Sequence, residues 1–184
     1  MNILEKIVAQ KRIEVGERKS LIPTALLEKS IYFNSPTVSL KSYLLRKDKS
    51  GIIAEFKRKS PSKGNINKYA KVDEVTLGYM QSGASALSVL TDEQFFGGSD
   101  NDLKQARKLN YCPILRKDFI IDEYQIIEAR SIGADAILLI ANVLSKEEII
   151  RFSDLAKKLS LEVLLEIHNE KELEKIPNEE VLIG

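Results

Sequence analysis

Ile52-Ile53-Ala54-Glu55-Phe56-Lys57-Arg58-Lys59-Ser60-Pro61-Ser62-Lys63-Gly64 opens as a buried strand and closes as a charged loop. Side chains alternate faces along a strand, so Ile53, Glu55 and Lys57 share one side. If Ile53 faces the core, a carboxylate and an ammonium follow it inward. An unpaired ion in a low-dielectric site costs several kcal/mol, so such charges persist where they pair or where chemistry needs them. The Ser-Pro-Ser-Lys-Gly tail then forces a loop. Charges at the end of a buried strand, facing a loop, read as the rim of an active site.

Downstream the same rhythm repeats. Short apolar runs at 52–56, 86–90, 113–115, 136–141, 163–167 and 181–183 alternate with amphipathic stretches at 72–82, 100–109, 123–131, 146–159 and 170–176. The runs are almost continuously apolar, the pattern of parallel strands covered on both faces. Ser99 or Asp100 is placed to cap the helix at 100–109, and Ser145 with Glu148 three residues on reads as a capping box. Gly83 and Gly133 fall just past helix ends, each followed by alanine and a strand. Upstream, Ile3, Leu4, Ile7, Val8, Ile13 and Val15 fall near helical spacing over 3–19. Further helical pieces are expected at 23–30 and 40–47, around a loop at 31–36. This leading segment carries no strand signal and reads as a helical extension.

A strand–helix repeat fits either an open doubly wound sheet or a (β/α)8 barrel. The strand ends decide between them. Glu55 and Lys57 follow the first run, Lys117 the third and Glu166 the fifth. Chemistry distributed over several strands is the habit of the barrel, whereas an open sheet concentrates its ligand at one switch point. The glycine fingerprints G-x-G-x-x-G and G-x-x-x-x-G-K-[ST] are also absent. The expected fold class is therefore α/β: a (β/α)8 TIM barrel with an N-terminal helical extension. It is expected as a single domain over 1–184, with the extension at 1–47 and strands one to six at 48–184. A barrel needs eight strands and typically about 250 residues, so the expectation is an incomplete barrel, cut short after the sixth strand.

Composition narrows the partners. The 28 basic and 27 acidic residues leave a net charge of +1, which gives no bulk attraction to nucleic acid or an acidic membrane. The Lys57-Arg58-Lys59 run with Lys63 lacks the interleaved aromatics of a nucleic-acid surface. The single cysteine, Cys112, leaves no internal disulfide and no cysteine-rich metal site, and it reads as a small apolar filler. The start, Met1-Asn2-Ile3-Leu4-Glu5-Lys6, lacks the long uncharged core of a signal peptide. No apolar run approaches the roughly 20 residues of a membrane span. The expectation is a reduced, soluble, cytoplasmic protein with no nucleic-acid or membrane partner.

The motifs also carry a resemblance. They are Ile3-Leu4-Glu5-Lys6-Ile7-Val8 with Lys11 and Glu14-Val15; Ile53-Ala54-Glu55-Phe56-Lys57-Arg58-Lys59-Ser60-Pro61-Ser62; Phe95-Phe96-Gly97-Gly98-Ser99; Leu115-Arg116-Lys117-Asp118-Phe119-Ile120; Gly133-Ala134-Asp135-Ala136-Ile137-Leu138-Leu139-Ile140; and Glu162-Val163-Leu164-Leu165-Glu166-Ile167-His168. In these stretches, and in their order, the chain resembles the indole-3-glycerol-phosphate synthase family of tryptophan biosynthesis. The resemblance implies a carbon–carbon lyase, a carboxy-lyase that closes a ring with loss of carbon dioxide and water. The implied substrate is 1-(2-carboxyphenylamino)-1-deoxyribulose 5-phosphate, and no metal or organic cofactor is implied. Other enzymes of tryptophan biosynthesis are candidate partners.

Carried over by motif, Lys117 is the general acid that protonates the substrate carbonyl oxygen, and Glu55 and Glu166 handle the remaining proton movements. Lys57 meets the substrate anions and helps expel the hydroxyl. Ser60 contacts the substrate near its carboxylate. Phe96, Phe119 and Leu138 form an apolar wall around the aromatic ring. His168 shares the face of Glu166 if the strand continues, but the resemblance gives it no catalytic role. A lysine acts as an acid near neutral pH when burial or a nearby cation lowers its pKa. Lys57 and Lys117, converging from neighbouring strand ends, are expected to provide that. A helical lid over 1–47 is expected to cover the site. The family's phosphate grip falls beyond Gly184, so the isolated 184 residues are expected to be inactive. Two other readings fit less of the motif set: a non-catalytic α/β fragment that acts through assembly, and a related phosphosugar-barrel enzyme such as a phosphoribosylanthranilate isomerase.

Overall fold

A computed structural model describes residues 2–177 and 181–184. The leading segment forms α1 (Ile3–Leu21), α2 (Thr24–Leu27) and α3 (Leu40–Leu44). Then come β1 (Ile53–Phe56), a small antiparallel hairpin of β2 (Lys59–Ser60) and β3 (Gly64–Asn65), α4 (Val72–Gln81), β4 (Ala86–Leu90) and α5 (Glu93–Phe96). The chain continues through α6 (Asp100–Leu109), β5 (Ile114–Lys117), α7 (Glu123–Ile132), β6 (Ala136–Ile140), α8 (Lys146–Lys158) and β7 (Glu162–Glu166). A 3-10 turn at Glu170–Lys175 leads to β8 (Leu182–Ile183). Six strands form one sheet in the order β1-β4-β5-β6-β7-β8, every neighbouring pair parallel.

The alternation of the strands builds two cores. Ile53, Ala86, Leu115, Ala136, Leu138, Ile140, Leu164 and Leu182 pack together on one face. Side chains of the first and last strands share that cluster, which makes the sheet a half-barrel wrapped around its inner face. Phe56, Leu87, Val89, Ile114, Ile137, Leu139, Val163 and Leu165 point the other way and meet the helices. The expected repeat of strand and helix is therefore present, with the six expected strands in one parallel sheet.

Three local details depart from the sequence reading. The stretch expected only as a loop after Phe56 holds the β2–β3 hairpin, turned through Gly64 at φ +63°. A single helical turn, α5, forms where no helix was expected, because the Asp92 side chain accepts from the Phe95 and Phe96 amides. The third strand runs on to Lys117, since Arg116 and Lys117 point to opposite faces and each finds charged partners.

The leading segment is not one lid. The start of α1 reaches the C-terminal ends of the strands, where Leu4 borders a cavity. Residues 38–41 lie at the other end of the half-barrel. Leu40 is fully buried against the inner cluster, the Val38 amide donates to Asp135 just before β6, and Ser39 and Lys41 donate to Glu162 at the start of β7. The buried stripe of α1 is Ile7, Lys11 and Val15, whereas Ile3 and Ile13 are exposed. A lysine thus occupies a stripe position that periodicity would give to an apolar residue.

Gly98 fixes the turn between α5 and α6. A methyl group there would stand 2.0 Å from the Leu90 carbonyl oxygen, inside any allowed contact. Gly98→Ala is expected to lower stability by at least the roughly 1–3 kcal/mol typical of overpacking. Denaturant unfolding checks this, and an unchanged midpoint would contradict the packing argument.

Candidate active site

At its C-terminal rim the inward face carries four charged side chains. Glu55 and Lys57 continue the inward parity of Ile53, Lys117 that of Leu115, and Glu166 that of Leu164. These four side chains border a cavity of about 270 Å³ together with Leu90, Phe96, Phe119, Leu138, Ile140 and others. Of the eight site residues expected from the sequence, seven meet there: Glu55, Lys57, Lys117, Glu166, Phe96, Phe119 and Leu138. Ser60 does not border it. Ser60 lines an adjoining hollow with Lys57, Phe96 and Phe119, and its hydroxyl accepts from the Lys63 amide at 3.2 Å.

The charges alternate around the rim. Lys57 Nζ donates to Glu55 Oε1 at 2.8 Å, and Glu55 Oε2 lies 3.8 Å from Lys117 Nζ. Lys117 Nζ donates to Glu166 Oε2 at 3.3 Å, and Glu166 Oε1 lies 2.9 Å from His168 Nε2. The four catalytic candidates are 25–32% exposed at the side chain, so a ligand can reach them. Lys57 and Lys117, expected to converge from neighbouring strand ends, border the same cavity but come from strands that are not adjacent. Strand β4 lies between β1 and β5, and Glu55 stands between the two ammonium groups. Proton donors and acceptors are thereby interleaved within one pocket, which suits a reaction with several proton transfers.

The apolar side of the cavity is aromatic. The Phe96 and Phe119 rings sit with centroids 5.8 Å apart, tilted by 37°. Phe96 comes from α5 after β4, and Phe119 from the loop after β5. Leu138, from the middle of β6, completes that side and is itself almost fully buried. His168, to which the resemblance gives no catalytic role, also borders the cavity. Its parity with Glu166 was legible, yet only the structure shows the ring at the cavity and in contact with that carboxylate. Leu4, Asn142 and Ile140 also border the cavity. The inward parity of Ile140 was readable, but nothing in the sequence pointed to Leu4 or Asn142.

Behind the rim lies a buried ion network. The Arg116 guanidinium, 1% exposed, donates to Glu128 at 2.7 Å, Asp100 at 3.2 Å, Asp118 at 3.4 Å and Thr91 at 3.1 Å. Burial pushes Glu128 up, but Arg116 and Arg18 reverse this and leave its carboxyl below the ordinary range. Asp118 is also fully buried. Burial pushes it up, while Lys11 and Arg116 more than offset that and lower it to about 2. The run Arg116-Lys117-Asp118 is thus split by strand parity: the middle charge faces the cavity and its neighbours face the network.

A pH dependence follows for Asp118. A carboxyl depressed below its ordinary pKa of about 3.9 adds stability above that value and loses it as pH falls toward the folded value. The contribution is on the order of 2 kcal/mol and is expected to vanish between about pH 4 and pH 2. Asp118→Asn should flatten stability against pH in that window. An unchanged acid profile would contradict the pairing. Cys112 is fully buried, and burial pushes its thiol up to about 11, consistent with an inert filler. Among the described residues, no group of three or more His, Cys, Asp or Glu is placed to hold a metal ion. None of the described helices is long and apolar enough to cross a membrane.

Comparison with known proteins decides what this geometry belongs to. The family model described as Indole-3-glycerol phosphate synthase matches residues 4–181. The chain belongs to the indole-3-glycerol phosphate synthase family. Proteins of that name are similar to it across almost its whole length. One from Bacteroides thetaiotaomicron is 50% identical over 183 residues, covering 100% of this chain and 70% of the relative. One from Neisseria meningitidis serogroup B is 44% identical, covering 96% of this chain and 69% of the relative. One from Prochlorococcus marinus strain MIT 9515 is 46% identical, covering 95% of this chain and 60% of the relative. The resemblance read from the strand-end motifs is borne out at the level of family, fold and function class. In this synthase-family chain the motif residues from β1, β5 and β7 are the same ones that meet at the cavity.

Proposed function

We propose that the cavity catalyses indole-3-glycerol phosphate formation as a carboxy-lyase. The substrate is 1-(2-carboxyphenylamino)-1-deoxyribulose 5-phosphate. The single observation that carries the reading is the interleaved rim of Lys57, Glu55, Lys117 and Glu166 beside an aromatic wall.

The ring carbon bearing the carboxylate forms a bond to the sugar carbonyl carbon. Lys117 gives its proton to the carbonyl oxygen as that bond forms, turning the oxygen into a hydroxyl. Carbon dioxide then leaves, and the bonding pair it leaves behind restores the aromatic ring. Lys57 aids departure of the new hydroxyl as water, and Glu55 and Glu166 take up the protons released on the way to the indole. Charge develops on the carbonyl oxygen during attack, so an ammonium aimed there stabilises the transition state more than the ground state. Phe96, Phe119 and Leu138 hold the aromatic ring and exclude water, which strengthens every charge interaction in the pocket. Ser60 meets the carboxylate side of the substrate from the adjoining hollow.

Incubating the full-length protein with this substrate and following the indole product tests the reading. Product with stoichiometric carbon dioxide is the expected result, and no turnover with a folded protein would overturn it. Glu166→Gln keeps the shape and removes the base. It is expected to lower kcat about 10²-fold or more, the usual worth of one positioned proton transfer. A kcat within a few-fold of the parent would remove Glu166 from the mechanism.

A further inference from the structure

Lys11 is the buried stripe residue of α1 that the site described above does not use. It is 1% exposed, and its ammonium lies 2.9 Å from Glu14 Oε2, 3.0 Å from Asp92 Oδ2 and 3.0 Å from Asp118 Oδ1. Burial alone would lower its pKa, but Asp118, Asp92 and Glu14 reverse that and leave it raised. A charge this deep is expensive unless it is paired, and here the pairing joins three separate elements of the fold.

What the two aspartates do with their other contacts is informative. Asp92 Oδ1 accepts from the Phe95 amide at 2.8 Å and the Phe96 amide at 3.2 Å, so it sets the turn that presents the Phe96 ring. Asp118 Oδ1 accepts from the Phe119 amide at 2.8 Å, and its Oδ2 accepts from Thr91 at 2.6 Å. Asp118 also follows Lys117 directly. Each carboxylate therefore fixes the backbone of one aromatic of the wall, and Lys11 joins the two carboxylates. The rings they carry are in contact, with centroids 5.8 Å apart, and together form one side of the cavity. Leu4, two turns earlier on α1, borders the same cavity.

We propose that Lys11 is a positioning residue of the active site, a pin from α1 that holds the β4 and β5 loops together and so sets the spacing of Phe96 and Phe119. Without it, Asp92 loses the Lys11 ammonium and, of its two cations, Asp118 keeps only Arg116 on its other oxygen, so repulsion between the two buried carboxylates drives their loops apart. The aromatic wall then loses its packing while Lys117, anchored in β5 with Glu55 and Glu166 around it, keeps its place. The pin acts on substrate binding first and on chemistry second. It rests on the reading of Phe96 and Phe119 as the wall around the substrate ring.

The test compares KM and kcat for Lys11→Met, Lys11→Met/Asp92→Asn and Lys11→Arg in the full-length protein, beside Phe96→Ala and denaturant unfolding of each. Asn can still cap α5, so the double variant removes the charge imbalance without restoring the link. Lys11→Met is expected to raise KM about tenfold with a smaller change in kcat. The double variant is expected to regain stability but keep the raised KM. Lys11→Arg keeps the charge with a different donor geometry; as the variant least at risk of unfolding, it is expected to raise KM about threefold. A KM near that of the parent in folded Lys11→Met or Lys11→Arg would overturn the proposal. So would recovery of KM in the double variant, since neutralisation alone would then suffice. If Phe96→Ala also leaves KM unchanged, the aromatic wall itself is wrong. If Phe96→Ala raises KM and the Lys11 variants do not, only the pin fails.

Discussion

Lys117→Ala is expected to lower kcat by about 10²–10⁴-fold, the range for loss of a positioned general acid, with little loss of stability. Lys117 is the one side chain placed between both rim carboxylates, 3.3 Å from Glu166 and 3.8 Å from Glu55. An ammonium there can give a proton to an oxygen in the cavity and be recharged from either neighbour. No other described group bordering the cavity holds that middle position; Lys57 reaches Glu55 from the far side. The stability side of the expectation follows from exposure. Lys117 is about 30% exposed, and partly solvated ion pairs of this kind contribute at most about 1 kcal/mol. Removing it leaves Glu55 paired with Lys57 and Glu166 beside His168. Steady-state rates and denaturant unfolding on the same preparation check both halves. Loss of activity that merely tracks unfolding would withdraw the catalytic assignment.

Arg116→Met is expected to do the reverse, costing about 3–5 kcal/mol of stability, because breaking a buried ion pair strands its partners. Arg116 is the adjacent residue, yet it points to the opposite face and holds Glu128, Asp100, Asp118 and the Gln125 carbonyl. Without it, Lys11 and Arg18 must neutralise those carboxylates from one edge of the network. Against a typical total of about 5–15 kcal/mol, such a loss brings the fold close to its limit. Arg151→Met is the matched control. Its pair with Glu123, at 2.9 Å, is exposed on both sides, so its loss should cost less than about 1 kcal/mol. Equal effects of the two substitutions on the unfolding midpoint would contradict the account of the network.

The opposite fates of Arg116 and Lys117 show what was legible in the sequence. Strand parity is a local rule, so Ile53, Glu55 and Lys57 could be put on one face from spacing alone, and the strand–helix rhythm could be turned into a parallel half-barrel. The motif residues at the strand ends then met where the barrel fold requires. Lys11 was not legible as a buried residue. Helical periodicity ranks positions by apolarity, and a lysine joins the buried stripe only because Asp92 and Asp118, about 80 and 107 residues later, come to meet it. The expectation that Lys57 and Lys117 come from neighbouring strands fails for a similar reason. Their strands are neighbours in function but not in the sheet, and β4 with Glu55 intervenes. The leading segment was read as one lid because helix signals carry no information about which end of a barrel they cover. Leu40 and the hydrogen bonds from residues 38–41 to Asp135 and Glu162 seal the opposite end.

The central claim is that one cavity, built around Lys117, carries out the ring closure. A single-turnover experiment tests it most directly, because enzyme in excess of substrate removes product release from the observed rate. The full-length protein is mixed with 1-(2-carboxyphenylamino)-1-deoxyribulose 5-phosphate and the indole absorbance is followed, beside Lys117→Ala at concentrations that saturate binding. The account predicts one equivalent of indole-3-glycerol phosphate from the parent and a rate at least about 100-fold slower from the variant, with substrate still bound. Equal rates from the two proteins would contradict it.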